Sequence, residues 1–242
     1  MPRSLVLKLE RDGPLSFAEK EVALGLPEHI RHVPARGDII SDGGSSDALS
    51  LITEGFACRY KLLDDGRRQI LAFLVPGDFC DLRSLLLHQM DAAVAALSHC
   101  QIASIPHQRL FDAMEKHTRL ALALWRETMF DAAISQQWLI NVGRRCAYSR
   151  LAHLLCEVWF RLQTVQHAHD RFFDFPVTQT DLADALGLSV VHVNRTLQHL
   201  RADGLLNFRA SVVTVLDWPR LREAGQFDPA YLRHRVTTLE PC

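Results

Sequence analysis

Residues 177–200 read VTQTDLADALGLSVVHVNRTLQHL, and this segment carries two helix starts and one helix end. Thr178 precedes a short apolar pattern and is followed three positions later by Asp181, which is the spacing of a capping box at a helix N-terminus. Gly187 is the residue type expected where a helix stops in the left-handed conformation. Ser189 then provides a second N-cap. The sequence therefore predicts two short helices joined by a glycine turn.

The second predicted helix has the pattern of a DNA-reading helix. Its inner face is Val193, Leu197 and Leu200, so its polar side chains point outward. Two helices joined in this way form a helix-turn-helix, although such hairpins also occur as plain scaffold and match by chance. Arginine can bind guanine bidentately, asparagine can pair with adenine or phosphate, and valine can lie against a thymine methyl group. The predicted DNA-binding residues are Thr178, Gln179, Ser189, Val190, Val191, His192, Asn194, Arg195, His199 and Arg209.

The segment that follows predicts the wing of a winged helix. Residues 207–216 have the pattern of a hairpin whose return strand is residues 212–215. Arg209 lies near the tip of this hairpin, where its side chain can reach a phosphate.

Upstream, residues 118–141 contain no glycine or proline and predict one long helix. Leu120, Leu124, Ile134 and Trp138 form one apolar face, and a heptad seam forms a second. A helix that is apolar on two faces must bury both, one on the rest of the chain and one on the same helix of a second copy. A core helix within a monomer is the alternative. The predicted dimer seam consists of Leu122, Trp125, Met129, Ala132, Gln136 and Leu139.

Val142-Gly143 predicts a hinge before another helix over residues 144–162.

Residues 36–106 have the pattern of short antiparallel strands. Apolar and polar residues alternate over residues 56–62, and Asp64-Asp65-Gly66 predicts a hairpin turn. A further strand pair is predicted over residues 92–105. Taken together, these short strands predict a small barrel or roll.

Residues 163–174 are polar and predict a loop. His167-x-His169 in this loop lacks a third metal ligand at useful spacing, so we predict a solvated loop and no metal site.

The amino-acid composition is that of an ordinary soluble protein. The 242 residues are 48% hydrophobic and 23% charged, with a formal net charge of -1. No run is long enough for a membrane span and the N-terminus lacks a signal-peptide core, so we expect a cytoplasmic location without membrane contact. The six cysteines are scattered and are expected to be reduced. The low net charge argues mildly against nucleic-acid binding, but from residue 189 to residue 202 the only formal charges are Arg195 and Arg201, so the docking face is locally basic.

These segments together resemble the Crp–Fnr family of bacterial transcription regulators over nearly the whole chain. The matching motifs are Pro76-Gly77-Asp78-Phe79, the helix over residues 144–155 and the reading head over residues 182–200. The resemblance implies an α+β fold with an N-terminal antiparallel β-roll of the cyclic-nucleotide-binding type, a long dimerisation helix and a C-terminal winged helix-turn-helix. The implied divisions are residues 1–113, 114–143 and 144–220, with a C-terminal tail over 221–242.

The resemblance also implies a function, with departures at particular residues. Arg195 falls where the family places its base-reading arginine, while Val191 replaces a glutamate that many members carry. The implied protein is no enzyme but a homodimer that binds double-stranded DNA at a palindromic operator and contacts RNA polymerase.

The effector pocket departs further from the family pattern. Asp81-Leu82-Arg83 replaces the family's Gly-Glu-Leu, and Met90-Asp91-Ala92 replaces the Arg-Ser or Arg-Thr that helps to hold the cyclic phosphate. A carboxylate about 4 Å from a phosphate would cost roughly 4 kcal/mol at an effective dielectric constant of 20. Cyclic AMP is therefore disfavoured. An iron–sulfur cluster is disfavoured as well, because the first cysteine is Cys58. We predict no cofactor. Arg83 is the residue that could replace the missing arginine as an anion ligand, from a new direction.

Two other functions fit parts of the sequence. A β-barrel of the cupin type would be a metal enzyme, but that chemistry needs two histidines and a carboxylate converging inside the barrel. His88, His99 and His107 are isolated in the sequence. The other alternative is a ligand-binding module whose helical C-terminus recruits a protein; Asn194-Arg195 at the exposed start of a capped helix favours DNA instead.

Overall fold

The computed structural model describes residues 3–11, 13–44, 47–87, 90–169 and 171–232. The chain begins with two helices, α1 (Arg3–Leu9) and α2 (Phe17–Gly25). Ser16 and Glu19 form a reciprocal capping box at the start of α2. Leu5 and Leu9 of α1 are buried in an apolar cluster. The prediction of a β-roll over residues 1–113 lacks these two helices.

An antiparallel β-roll of two sheets follows. Its elements are β1 (His29–Val33), β2 (Asp38–Ile40), β3 (Ala48–Glu54), β4 (Ala57–Leu62), β5 (Arg68–Leu74), α3 (Ser84–Leu87), β6 (Ala93–Ala96) and β7 (Cys100–Pro106). One sheet has the order β1-β7-β3 and the other has the order β2-β6-β4-β5. The predicted strand pair at residues 92–105 corresponds to β6 and β7. They lie in different sheets, so that pairing is wrong although both strands exist.

Two glycines shape the turns of the roll. Gly66 has a φ of 80° in the hairpin between β4 and β5, where the Asp-Gly turn was predicted. Gly77 has a φ of 91° after β5, and a Cβ atom there would come within 3.0 Å of the carbonyl oxygen of Ser4. Helix α1 therefore packs directly on the turn of the Pro76-Gly77-Asp78 motif.

Two helices lead away from the roll: α4 (His107–Lys116) and the long α5 (Thr118–Arg144). The predicted inner face of α5 is buried, with Leu120, Leu124, Ile134 and Trp138 in the core. The hinge predicted at Val142-Gly143 is wrong, because α5 continues through both residues to Arg144. The break falls at Arg145, whose backbone is extended. A glycine in a helix costs only about 1 kcal/mol relative to alanine, and the hydrogen bond from Arg150 to the neighbouring Val142 carbonyl oxygen, at 2.8 Å, holds this last turn in place.

The C-terminal part is a winged helix. Its elements are α6 (Ala147–Thr164), β8 (Phe172–Asp174), α7 (Gln179–Leu186), α8 (Val190–Ala202), β9 (Leu206–Arg209), β10 (Val212–Val215), α9 (Trp218–Ala224) and a 3₁₀ turn (Pro229–Leu232). The three strands form one sheet in the order β8-β10-β9. Strand β8 corrects the prediction of a loop over residues 163–174, since its backbone pairs with β10.

The residues after α8 and its wing also differ from the prediction. A C-terminal tail was predicted from residue 221, but Leu221, Phe227 and Leu232 are buried in the same core as α6. The Tyr231 hydroxyl donates to Glu157 of α6 at 2.7 Å. Residues 221–232 are therefore part of the winged-helix unit, and residues 233–242 lie outside the described residues.

The roll and the winged helix share one hydrophobic core. Phe73 of the roll meets Trp138 of α5 and Phe175 of the winged helix, with ring centroids 5.8 and 5.2 Å apart. Phe56 of the roll lies 6.1 Å from Phe175. Phe175 is fully buried between the two units. The winged helix is thus packed on its own roll in addition to being connected through α5.

Among the described residues, no helix is long and apolar enough to cross a membrane.

Candidate nucleic-acid interface

Helices α7 and α8 are built by the local signals in their sequence. The Thr178 side chain accepts from the Asp181 backbone N–H at 3.1 Å, and Asp181 accepts from the Thr178 N–H at 2.8 Å. Gly187 ends α7 with φ 62° and ψ 40°, the left-handed conformation. The Ser189 hydroxyl then accepts from the His192 N–H at 3.2 Å, which caps α8. Both predicted caps and the predicted turn are confirmed.

The inner faces of the two helices fix their crossing. Val193, Leu197 and Leu200 of α8 are buried, as are Leu182 and Ala183 of α7. The small Ala183 side chain lets α8 approach α7 closely, as ridge-and-groove packing requires. The outer face of α8 is thereby held outward on a rigid pair of helices.

The outer face presents the residue types predicted from the sequence. Val190, Val191, Arg195 and His199 of α8 are exposed, and His192 and Asn194 are half-buried. Thr178, Gln179 and Ser189 are exposed at the two helix starts. Within the residues that the structure covers, the Arg195 guanidinium has no hydrogen bond or ion pair. It is available to a ligand.

A row of amides next to Arg195 joins the two helices. The Asn194 amide donates to the Gln179 side-chain oxygen at 3.1 Å, and the Gln198 amide donates to the Asn194 side-chain oxygen at 3.0 Å. Gln198 is exposed and was not among the predicted site residues. Its position four residues after Asn194 on the same helix face was the signal that could have found it.

The wing lies beside this face. Strands β9 and β10 are joined by Ala210 and Ser211, which have φ values of 49° and 64° and form a two-residue hairpin turn. Arg209 is exposed at the end of β9. The Arg201 side chain donates to the Phe208 carbonyl oxygen at 3.2 Å, which ties α8 to the wing. Helix α8 itself contains no acidic residue, so the face has a positive local field.

A half-buried arginine that sequence analysis missed positions the helix pair. Arg150 of α6 donates to the Leu186 carbonyl at the end of α7, to the Val142 carbonyl in α5 and to the Arg145 carbonyl. One guanidinium therefore satisfies backbone oxygens from three neighbouring segments. No local pattern marks such a residue, because its acceptors come from separate parts of the chain.

The predicted effector residues do not form one ligand-binding group. Asp81 is buried and accepts from the Ser50 N–H at 2.9 Å. Burial raises the pKa of its carboxyl to about 6. Arg83 is exposed and forms an ion pair with Asp91, so its charge is already compensated. Leu82 is half-buried, and together with Asp81 and Arg83 it lines a cleft between the roll and α5.

An arginine of the roll lies in the wall of this cleft and reaches α5. Arg59 of β4 is buried and donates to Asp131 of α5 at 2.9 Å and to the Cys80 carbonyl at 3.3 Å. Together with Asp81, Arg83 and neighbouring side chains, it lines a cavity of about 50 Å³. A neighbouring cavity of about 490 Å³ shares Arg59, Arg83 and Asp131 with it and also contains Asp91 in its wall.

Helix α5 leaves its second apolar face uncovered in the single chain. All six residues of the predicted dimer seam are exposed. Leu139 is 75% exposed and Trp125 is 64% exposed. An exposed stripe of this kind on one helix is typical of an interaction surface.

Within the described part of the chain, no group of three or more His, Cys, Asp or Glu side chains is arranged to hold a metal ion. Four of the five described cysteines are buried free thiols, and Cys146 is the exposed one. Burial raises the pKa of the Cys58 thiol to about 12, which keeps it protonated. His88, Asp170 and Cys242 lie outside the described residues.

Comparison with known proteins identifies the class. Residues 30–117 match the model of the cyclic nucleotide-binding domain, and residues 149–224 match the Crp-like helix-turn-helix domain. The second match extends into α9, beyond the predicted boundary at residue 220.

Curated relatives share most of the chain. The nitrogen fixation regulation protein FixK of Azorhizobium caulinodans is 30% identical over 194 residues, which is 80% of this chain and 76% of the relative. The transcriptional activatory protein AadR of Rhodopseudomonas palustris is 29% identical, over 85% of this chain and 84% of its own. The solved structure of FixK2 from Bradyrhizobium japonicum superposes with a TM-score of 0.72 at 27% identity, covering 81% of this chain and 96% of that one.

The chain belongs to the Crp–Fnr family of bacterial transcription regulators. The predicted family and fold class are confirmed, and the cupin-type enzyme is excluded because the relatives are transcription regulators.

Proposed function

We propose that this protein is a homodimeric regulator that reads a two-fold symmetric DNA operator without cyclic AMP. The observation that carries the proposal is the capped, exposed face of α8, on which the Arg195 guanidinium has no partner among the described residues. A regulator of this kind works beside the chromosome, in the cytoplasm, and contacts RNA polymerase from its bound operator.

Sequence recognition is assigned to α8. Arg195 is placed to bind guanine O6 and N7, and Val190 and Val191 are placed to meet thymine methyl groups. The amide row from Gln179 through Asn194 holds the Asn194 side chain in a fixed orientation, which favours a single pairing geometry. Thr178 and Ser189 lie at helix N-termini, where backbone N–H groups favour a phosphate.

The wing and the flanking histidines supply further contacts. Arg209 at the wing and His199 on α8 are exposed and lie on either side of the recognition residues. His192, half-buried in the first turn of α8, is placed at the groove edge. These side chains position the protein on the backbone, while Arg195 specifies the base.

Dimerisation is assigned to the exposed seam of α5. Its six residues recur at the spacing of a heptad seam, so a second copy buries them by parallel packing of the same helix. Two-fold symmetry then presents two α8 helices to successive major grooves, about 34 Å apart along the duplex. This arrangement calls for a palindromic operator.

Independence from cyclic AMP follows from the contents of the cleft. The Arg59–Asp131 ion pair already links the roll to α5, so the arginine that faces α5 in this cleft is paired with a carboxylate of the chain itself. The Arg83–Asp91 ion pair leaves no uncompensated cation at its edge. Asp81, Leu82 and Arg83 are proposed as wall residues of this cleft, and Asp91 as a wall residue of the neighbouring cavity. None of the four is proposed as a ligand of a cyclic phosphate.

Binding-site selection from random duplex DNA with the purified full chain tests the proposal. We expect a two-fold symmetric motif with half-sites about one helical turn apart, recovered with no nucleotide added. Arg195→Ala is expected to cost about 1–3 kcal/mol per half-site and to relax the preference at one base pair. The matched control is Arg109→Ala, which removes an exposed arginine from α4 on the roll.

Three outcomes would count against particular parts of the proposal. An equal loss of affinity of Arg195→Ala for all sequences would mean that Arg195 binds phosphate. A motif without two-fold symmetry would refute the dimeric reading. A motif recovered only when cyclic AMP is added would refute independence from that nucleotide.

A further inference from the structure

We infer that Arg36 and Arg68 of the β-roll are positioning residues for DNA recognition, because they hold the first helix of the helix-turn-helix through Asp181 and Asp184. This inference rests on the proposed function, since it concerns how the two recognition helices of a dimer are spaced. We call these four residues the interdomain latch.

The latch converges on one carboxylate that no solvent reaches. Asp181 of α7 is 0% exposed. The Arg36 guanidinium donates to both of its oxygens, at 2.9 and 3.0 Å. The Arg68 guanidinium donates to the same carboxylate at 2.6 Å and to Asp184 at 2.8 Å. Two arginines from the roll therefore engage two successive turns of α7.

The Asp181 carboxyl group is held in its charged form. Burial alone would raise the pKa of Asp181, but hydrogen bonds from Arg36, Thr178 and Arg68 outweigh it, and the pKa lies below its ordinary value. A paired, hydrogen-bonded buried charge fixes the geometry of its partners more strictly than apolar contact does, because an unpaired alternative is costly. The latch therefore specifies an orientation, while the aromatic contacts around Phe175 supply attraction.

The backbone at Arg36 supports a specific role for this contact. Arg36 has a φ of 70°, a conformation that non-glycine residues rarely adopt. Its N–H donates to the Ala96 carbonyl at 2.9 Å, which anchors the turn on β6. Backbone strain of this kind persists only where surrounding contacts determine it. Here the strained residue is the one that carries its side chain across to Asp181.

The consequence for DNA recognition is geometric. Helix α7 carries α8 through the Gly187 turn, so fixing α7 on the roll fixes the direction of the recognition helix. The roll is also joined to α5 through Arg59 and Asp131. The roll thus connects the dimer seam to the reading head by a route separate from the α5–α6 connection at Arg145.

Operator spacing tests this directly in the full-length protein. The selected operator is compared with versions whose half-sites are one base pair closer or farther apart, and with a duplex carrying one half-site. For Arg68→Gln, we expect the preference for the natural spacing to fall about tenfold, equivalent to about 1.4 kcal/mol. Affinity for the single half-site should stay unchanged, because no DNA-contacting residue is altered.

Two further variants separate the latch from local effects. Arg36→Gly removes the guanidinium and also relieves the positive φ, so a loss of spacing preference in this variant cannot come from added backbone strain. Arg67→Gln is the matched control, since Arg67 lies in the same hairpin as Arg68 and, among the described residues, its side chain pairs only with the nearby Asp65. Asp181 itself is left intact because it also caps α7.

Hydrogen exchange of α7 amides without DNA provides a second readout. Faster exchange in Arg68→Gln and Arg36→Gly than in Arg67→Gln, together with loss of spacing preference, would support the latch. Spacing preference and exchange equal to those of the control would overturn it. If the unaltered protein selects no symmetric motif, the dimeric operator proposal fails, and equal exchange in all variants would independently reject the latch.

Discussion

Replacing Asp81 by asparagine is expected to stabilise the protein at neutral pH and to have less effect at acidic pH. Asp81 is 1% exposed and lies within the roll, where one of its side-chain oxygens accepts from the Ser50 N–H of β3 at 2.9 Å. Burial is the main reason why its pKa is raised from 3.8 to about 6. Asparagine keeps an acceptor oxygen at nearly the same position and carries no charge.

The magnitude follows from the difference between the folded and unfolded pKa of this carboxyl. A rise of the pKa from 3.8 to about 6 corresponds to about 3 kcal/mol of destabilisation once the carboxyl group is ionised. Because the folded carboxyl holds its proton more tightly than the unfolded one, its contribution to stability falls as the pH rises from about 4 to about 6. At pH 4.5 the Asp81 carboxyl of the unfolded chain is already partly ionised. About 2 kcal/mol of the destabilisation therefore develops between pH 4.5 and pH 7.5.

Urea denaturation at these two pH values measures the difference. The free energy of unfolding of Asp81→Asn, relative to the unaltered protein, should rise by about 2 kcal/mol on going from pH 4.5 to pH 7.5. Asp112→Asn, which removes an exposed carboxylate from α4, is the control and should show no such change. If Asp81→Asn and the unaltered protein have the same pH dependence, the carboxyl ionises in the folded state without cost and the reasoning is refuted.

Three further substitutions have distinct expected outcomes. Val191→Glu adds an acceptor for cytosine N4, so binding-site selection should shift towards cytosine at one position by about 1–3 kcal/mol; an unchanged motif would place residue 191 away from the bases. Leu139→Arg should shift the sedimentation of the protein to that of a monomer, whereas Phe17→Arg, at an equally exposed apolar site on α2, should not. Tyr231→Phe removes a hydrogen bond to the buried Glu157 carboxylate and should lower the free energy of unfolding by about 1.5–3 kcal/mol in urea; unchanged stability would mean that the C-terminal turn contributes little.

Local chemistry explains which parts of the fold were predictable from the sequence. Thr178, Gly187 and Ser189 mark helix ends through contacts within three or four residues, so their pattern predicts the helix-turn-helix without knowledge of the rest. Both faces of α5 follow from its periodicity. The outward residues of α8 follow from the same logic, because burial of Val193 and Leu197 leaves the other side exposed.

The features that were missed depend on contacts between distant segments. Strand β8 exists because residues 172–174 pair with β10, and their own composition is that of a loop. The break after α5 was misplaced because the low helix propensity of Gly143 is a small effect, and Arg150 of α6 holds the Val142 carbonyl oxygen of this last turn. The latch joins Arg36 to Asp181 across 145 positions, and no local pattern relates the two.

The latch also bears on the low net charge of the chain. Asp181 and Asp184 lie on α7, next to the predicted phosphate contacts at Thr178 and Gln179, where two free carboxylates would repel DNA. Arg36 and Arg68 pair with both, so the negative charge of α7 is compensated on the side that faces the roll. What remains towards solvent is α8 with its arginines and histidines and no carboxylate. A formal net charge of -1 is therefore compatible with a basic docking face, because the field near the DNA depends on where the charges are paired.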